Sequence, residues 1–125
     1  MLRLPPFTYL APRTLADAAR TLAEHGADAM VVAGGTDLYP NMKRRQFEPK
    51  VLVGLGAIRE LRGVSGNATD GLRIGATTTL TAVARHPAVA AHYPALAIAA
   101  GLVSSPQLRN SGTIGGNVCV DTRCN

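Results

Sequence analysis

Tryptophan is absent from this chain of 125 residues, and three tyrosines and two phenylalanines bring the aromatic share to only 4%. An interior without large rings must be built from Ala, Val, Leu and Gly, which suits closely packed helices and small-residue turns. Cysteine occurs only as Cys119 and Cys124. Two are too few for a secreted disulfide scaffold, so a reducing, cytoplasmic compartment is expected. No apolar run reaches 18 residues, which argues against a membrane-spanning helix. The opening Met1-Leu2-Arg3-Leu4-Pro5-Pro6 lacks the apolar region of a signal peptide. Acidic residues are scarce, 8 against 13 Lys and Arg, for a formal charge of +5. That balance favours an anionic ligand or partner. Nucleic acid is not expected, because the only dense basic run, Lys43-Arg44-Arg45, has no interleaved aromatics to stack on bases. His25, His86 and His92 are scattered without metal-ligand spacing.

What is present fits one folded domain: 46% hydrophobic residues and a mean hydropathy of +0.11. Residues 1 to 13, punctuated by Pro5, Pro6 and Pro12, read as an extended entry. Thr14 with Asp17 makes a variant capping box, and Leu15, Ala18, Ala19, Leu22 and Ala23 recur at helical spacing until Gly26. Ala29 to Ala33 reads as a buried strand. Thr36 is expected to cap a helix over Asp37 to Arg45, and Val51-Leu52-Val53 to form a second buried strand parallel to the first. A helical turn near Ala57 to Leu61, a turn at Asn67 to Gly71 and a strand at Leu72 to Gly75 follow. A short helix over Thr79 to Arg85 comes next, then an almost wholly apolar, central helix from Pro94 to Val103. Ser104 to Asn117 reads as a polar, glycine-rich loop, and Val118-Cys119-Val120 as a strand.

Two glycine pairs carry the chemistry. In Val31-Val32-Ala33-Gly34-Gly35-Thr36-Asp37-Leu38 an apolar strand runs into two glycines and a helix start. Successive backbone N–H groups in such a turn form an anion-binding nest, and glycine lets phosphate oxygen approach the backbone. Thr113-Ile114-Gly115-Gly116-Asn117 repeats the theme, with a hydroxyl and an amide at its ends. Arg109 is placed to neutralise a phosphate or to pair with a buried carboxylate. Asp37 reads as a first-turn helix acid rather than a catalytic base. Neither pair is a Gly-x-Gly-x-x-Gly fingerprint or a Walker loop. Two such loops suggest a ligand with two phosphates. A plain strand-turn-helix corner, or a non-enzymatic module for an anion or a partner protein, remains the alternative for either loop alone.

Together and in this order, Ala33-Gly34-Gly35-Thr36-Asp37-Leu38, Arg109-Asn110 and Thr113-Ile114-Gly115-Gly116-Asn117 resemble the FAD-binding medium subunit of molybdenum hydroxylases. Phe7-Thr8-Tyr9 with Pro12, Leu61, Ile74-Gly75-Ala76-Thr77-Thr78 and Pro94-Ala95-Leu96 extend the resemblance over essentially the whole chain. It implies an α+β fold: the N-terminal subdomain of a vanillyl-alcohol-oxidase-type (p-cresol methylhydroxylase-type) FAD-binding domain, with a small parallel sheet and flanking helices. It further implies that residues 31 to 38 and 113 to 117 hold the FAD pyrophosphate from two sides and that Val103 lines the same site. No residue is assigned a catalytic role.

Implied partners are a large subunit carrying the molybdenum cofactor and a small [2Fe-2S] subunit, in a hetero-oligomer that includes neither nucleic acid nor membrane. The tail, Val118-Cys119-Val120-Asp121-Thr122-Arg123-Cys124, is similar to the 4-hydroxybenzoyl-CoA reductase branch. There Cys124 matches the first ligand of an inserted [4Fe-4S] cluster, and the substrate is an aromatic acyl-CoA. Medium subunits of xanthine or carbon monoxide dehydrogenase are the alternative within the family. Residues 1 to 125 are accordingly expected to be the N-terminal part of a longer FAD-binding domain.

Overall fold

The continuous apolar run at Val51 becomes the middle strand of a parallel sheet, as expected of a strand covered on both faces. In the computed structural model, which describes residues 2–121, strand β3 (Val51–Gly54) is buried along its whole length. It lies between β1 (Thr8–Leu10) and β2 (Ala29–Val32), and both run parallel to it. Thr8 and Ala29 stand opposite Val51 on its two sides. Parallel neighbours require crossovers. Helix α1 (Leu15–His25) carries the chain from β1 to β2, and α2 (Leu38–Lys43) lies between β2 and β3.

Thr14 caps α1 as expected: its Oγ1 accepts the Asp17 N–H at 3.1 Å. The Asp17 carboxylate accepts the Thr14 hydroxyl proton at 2.8 Å instead of a backbone donor, so the box closes on itself. Val32, Leu38, Met42 and Leu52 form the core of this part, flanked by Phe7, Met30, Tyr39 and Phe47. The expected burial of β2 does not hold. It has a strand on one side only, and Val31 is 43% exposed. The expected helix over Asp37 to Arg45 shrinks to six residues, and Thr36 lies outside its cap. Asp37 occupies the cap position without a side-chain capping bond, so its reading as a first-turn acid is also corrected.

The chain divides into two compact units between Glu60 and Leu61. The second unit opens on a hairpin, β4 (Val64–Asn67) antiparallel to β5 (Gly71–Ile74). The Asn67 side chain accepts the Thr69 and Asp70 N–H groups in the turn. Strand β4 is invisible to pattern reading because Val64 is the only large apolar residue in Val64-Ser65-Gly66-Asn67.

Five short helices follow: α3 (Leu80–Arg85), α4 (Pro87–His92), α5 (Pro94–Leu102), α6 (Pro106–Arg109) and α7 (Ile114–Cys119). Three of them begin on proline, whose fixed φ and missing N–H suit a first helical position. Leu80, Val83, Val89 and Ala100 make the core, with Val64, Leu72, Ile74 and Val103 against it.

Three expectations are corrected here. Helix α5 is not central: Ile98 and Leu102 are 62% and 76% exposed. Ser104 to Asn117 is not one loop but holds α6 and most of α7. Val118 and Cys119 are helical rather than extended, because the Thr113 cap starts α7 ahead of them; Cys119 is exposed.

Candidate functional site

The first glycine pair leaves β2 at its last residue, Val32, which is buried in the core. Gly35 adopts φ +71°, a left-handed conformation that costs an L side chain about 1–2 kcal/mol. A Cβ there would also run into the Tyr39 ring, which folds back over the turn. The Gly35 carbonyl accepts the Tyr39 N–H at 3.1 Å, fixing that approach. The N–H groups of Gly34, Gly35 and Thr36 make no hydrogen bond to any described residue. Three successive donors around a left-handed glycine are the elements of an anion nest. With only six residues in α2, the helix dipole is a smaller contribution than the expected longer helix would give. Leu38 is buried and anchors the far end of the turn.

The second pair is built differently. Thr79 and Thr113 form an isolated antiparallel bridge, through which the segment after β5 grips the start of α7. Leu80 N–H donates to the Gly112 carbonyl, Ile114 N–H to that of Thr78, and Gly115 N–H to that of Ala76, each at 2.9 Å. Gly116 N–H is taken by Thr113 Oγ1 at 3.3 Å and Asn117 N–H by the Thr113 carbonyl at 2.9 Å. Every backbone donor from Ile114 to Asn117 is therefore committed. The expectation of a loop offering N–H groups is corrected: the two glycines sit in the first turn of α7.

They also have separate reasons to be glycine. A Cβ on Gly115 would lie 2.7 Å from Ala76 Cβ and 2.8 Å from its carbonyl oxygen. A Cβ on Gly116 would meet only Thr113 Oγ1, at 3.0 Å, and the residue is exposed. Gly115 lets two backbones touch, while Gly116 presents bare backbone outwards, next to the exposed Asn117 side chain.

Arg109 pairs with no carboxylate among the described residues. Its Nη1 donates to the Val103 carbonyl at 2.8 Å and the Ser104 carbonyl at 2.9 Å. Pattern reading missed this role, since nothing in the spacing says which carbonyls an arginine will reach. It also missed Ala76 as the floor under Gly115. The small residue in Gly75-Ala76-Thr77 was the available signal. Asn110 ties to α3, accepting the Thr81 hydroxyl proton at 2.7 Å.

Residues 31 to 38 thus lie in the first unit, and Val103 with residues 113 to 117 in the second. Cys124 lies outside the described residues. Among the described residues no three His, Cys, Asp or Glu side chains cluster as metal ligands, and no helix is long and apolar enough to cross a membrane.

The first unit thus carries a left-handed glycine turn with open donors after a parallel strand, an arrangement suited to a phosphate group, and the second carries a glycine pair at a helix start. Residues 5–124 match the family described as the FAD binding domain in molybdopterin dehydrogenase, and the chain belongs to that family. It is 41% identical over 114 residues to the carbon monoxide dehydrogenase medium chain of Hydrogenophaga pseudoflava, covering 91% of this chain and 39% of that one. It is 38% identical over 112 residues to a putative xanthine dehydrogenase FAD-binding subunit of Escherichia coli, covering 90% and 38%.

Among solved structures, it matches that of carbon monoxide dehydrogenase from Hydrogenophaga pseudoflava lacking the Mo-pyranopterin moiety of the molybdenum cofactor. There the TM-score is 0.88 at 41% identity, over 93% of this chain and 40% of the other. The chain spans about two fifths of the length of these relatives. The first turn fits the diphosphate of FAD by its open N–H groups. The second has no open backbone donor and offers only the bare surface of Gly116 and the Asn117 carboxamide.

Proposed function

We propose that this chain is the N-terminal part of the FAD-binding medium subunit of a molybdenum-containing oxidoreductase. The observation that carries the reading is the Gly34–Thr36 turn, whose three N–H groups are open beside a left-handed Gly35. Each such donor to a phosphate oxygen contributes about 1.5–3 kcal/mol as a charge-assisted bond. Val31, Val32 and Leu38 hold the turn in place, while Ala33 to Asp37 wrap the anion. Thr113 fixes the start of α7, so that Ile114 to Asn117 present a surface to the cofactor, and Val103 is a further contact with it. When bound, FAD supplies the two-electron and one-electron chemistry; the chain binds and orients it, and none of these residues acts as an acid or base.

Partners in this reading are a large subunit with the molybdenum cofactor and a small subunit with [2Fe-2S] clusters, assembled in the cytoplasm. The carbon monoxide dehydrogenase and xanthine dehydrogenase relatives favour those branches. The narrower reading, a 4-hydroxybenzoyl-CoA reductase with an added [4Fe-4S] cluster at Cys124, rests on the Asp121-Thr122-Arg123-Cys124 tail alone. Coding sequence beyond Asn125 with further clustered cysteines supports that reading, and their absence removes it.

The test is chemical. The full-length subunit is expressed, and its flavin is released with acid and identified by chromatography. FAD is expected at one per subunit, with loss in Gly35→Val and Gly116→Val. A colourless wild-type subunit favours a non-enzymatic anion- or partner-binding module, and normal flavin in both variants overturns the assignment of the two glycine loops to FAD.

A further inference from the structure

Helix α5 ends abnormally. Val103 leaves it in an extended conformation, and Ser104 then takes φ +50°. Glycine is the residue that ordinarily holds this left-handed position after a helix, because it has no Cβ to strain. Here it is a serine, at a cost of about 1–2 kcal/mol. Five residues on, Arg109 turns back from α6. One nitrogen, Nη1, donates both of its protons, to the carbonyls of Val103 and Ser104 at 2.8 and 2.9 Å. Two charge-assisted bonds outweigh the strain of one residue.

Arg109 is itself held. Its N–H donates to the Ser105 carbonyl at 3.0 Å, and the Ser105 hydroxyl caps α6 by accepting the Leu108 N–H at 3.4 Å. No carboxylate among the described residues pairs with its guanidinium. The rest of that group borders an open cleft of about 320 Å³, shared with Thr81, Arg85 and Asn110.

We infer that Arg109 is a positioning residue for the flavin: it locks the Val103–Ser104 turn and so fixes the placement of Val103 beside the cofactor. This rests on the FAD reading above. A planar guanidinium suits the task, since two protons on one nitrogen reach two adjacent carbonyls at once. Without it, Ser104 relaxes to a negative φ, the Val103 carbonyl and side chain swing away, and the flavin environment loosens without any loss of phosphate contacts.

The experiment is a double-mutant cycle in the full-length, assembled complex, reading FAD dissociation constant and flavin midpoint potential. Arg109→Met keeps the apolar stem and removes both bonds; it is expected to weaken FAD at least tenfold and to shift the potential. Ser104→Gly in that background removes the strain that Arg109 opposes, and is expected to recover at least half of each effect. Arg109→Lys, read in the same way, serves if the methionine variant does not assemble. It keeps the charge without the planar fork and is expected to weaken FAD severalfold.

Unchanged affinity and potential in the arginine variant, or effects of Arg109 and Ser104 substitutions that simply add, overturn the positioning role. A wild-type complex without FAD overturns the reading beneath it instead, so the two failures are told apart by the wild-type flavin content.

Discussion

Gly115 and Gly116 are adjacent and alike in sequence, yet their alanine variants should fail in opposite ways. In Gly115→Ala the new methyl lies 2.7 Å from Ala76 Cβ, 2.8 Å from its carbonyl oxygen and 3.0 Å from its Cα. Carbon atoms prefer about 3.5–4.0 Å, so one backbone must retreat by roughly 0.8 Å. That retreat is opposed by the hydrogen bonds clamping Gly112, Ile114 and Gly115 to the segment Ala76 to Leu80, each 2.9 Å long. Overpacking of this kind costs about 1–3 kcal/mol, and stretching a bond adds about 1. The gain of alanine over glycine in a helix returns about 0.5–1 kcal/mol.

The net is a loss of about 1–3 kcal/mol, at about 2–4 °C in Tm per kcal/mol in a chain of the full-length subunit's size. In Gly116→Ala the methyl meets one hydroxyl at 3.0 Å. Alanine's helical gain offsets that contact, leaving stability within about 0.5 kcal/mol of wild type. Its methyl instead fills the surface on which the cofactor is proposed to rest.

The assay is thermal unfolding of the deflavinated full-length subunit, so that ligand linkage does not enter, with FAD affinity measured separately by reconstitution. Gly115→Ala should lower Tm. Gly116→Ala should keep Tm and lose at least tenfold in FAD affinity. Equal stability in Gly115→Ala refutes the close contact with Ala76, and full FAD affinity in Gly116→Ala refutes the assignment of that surface to the cofactor.

Leu52→Ala, in the middle strand with its side chain fully buried, should cost about 2–5 kcal/mol. Urea unfolding checks this, and a loss under about 1 kcal/mol would contradict the central place of β3. Cys119, exposed on α7, should react with a thiol reagent in the native subunit. Comparison with Cys119→Ser identifies its signal, and a Cys119 thiol that reacts only after denaturation refutes the exposed helical placement.

The sequence by itself determined those features whose signal is local. Thr14 is a hydroxyl residue just ahead of a helical pattern, and it caps α1. Val51-Leu52-Val53 is apolar without alternation, and it is the strand covered on both faces. The two glycine pairs mark the chemistry because only glycine combines a left-handed φ or a close backbone approach with no side chain in the way.

What tertiary structure alone decided is which groups remain available once the chain has folded. Ala29 to Val32 is as apolar as β3 but became an edge, since a strand's burial depends on how many neighbours pair with it. The near-uniform apolarity of α5 suggested a central helix, yet Ile98 and Leu102 stay exposed, since hydrophobicity cannot say which face finds a partner. The second glycine pair reads as a donor-rich loop in isolation. Its donors are consumed by Ala76, Thr78 and Thr113, two of them dozens of residues away, and one guanidinium nitrogen of Arg109 is taken up by two backbone carbonyls. Hydrogen bonds satisfied across the fold leave no trace in local pattern, so the residue types that can bind a phosphate were legible in the chain, and the donors left free to do so were not.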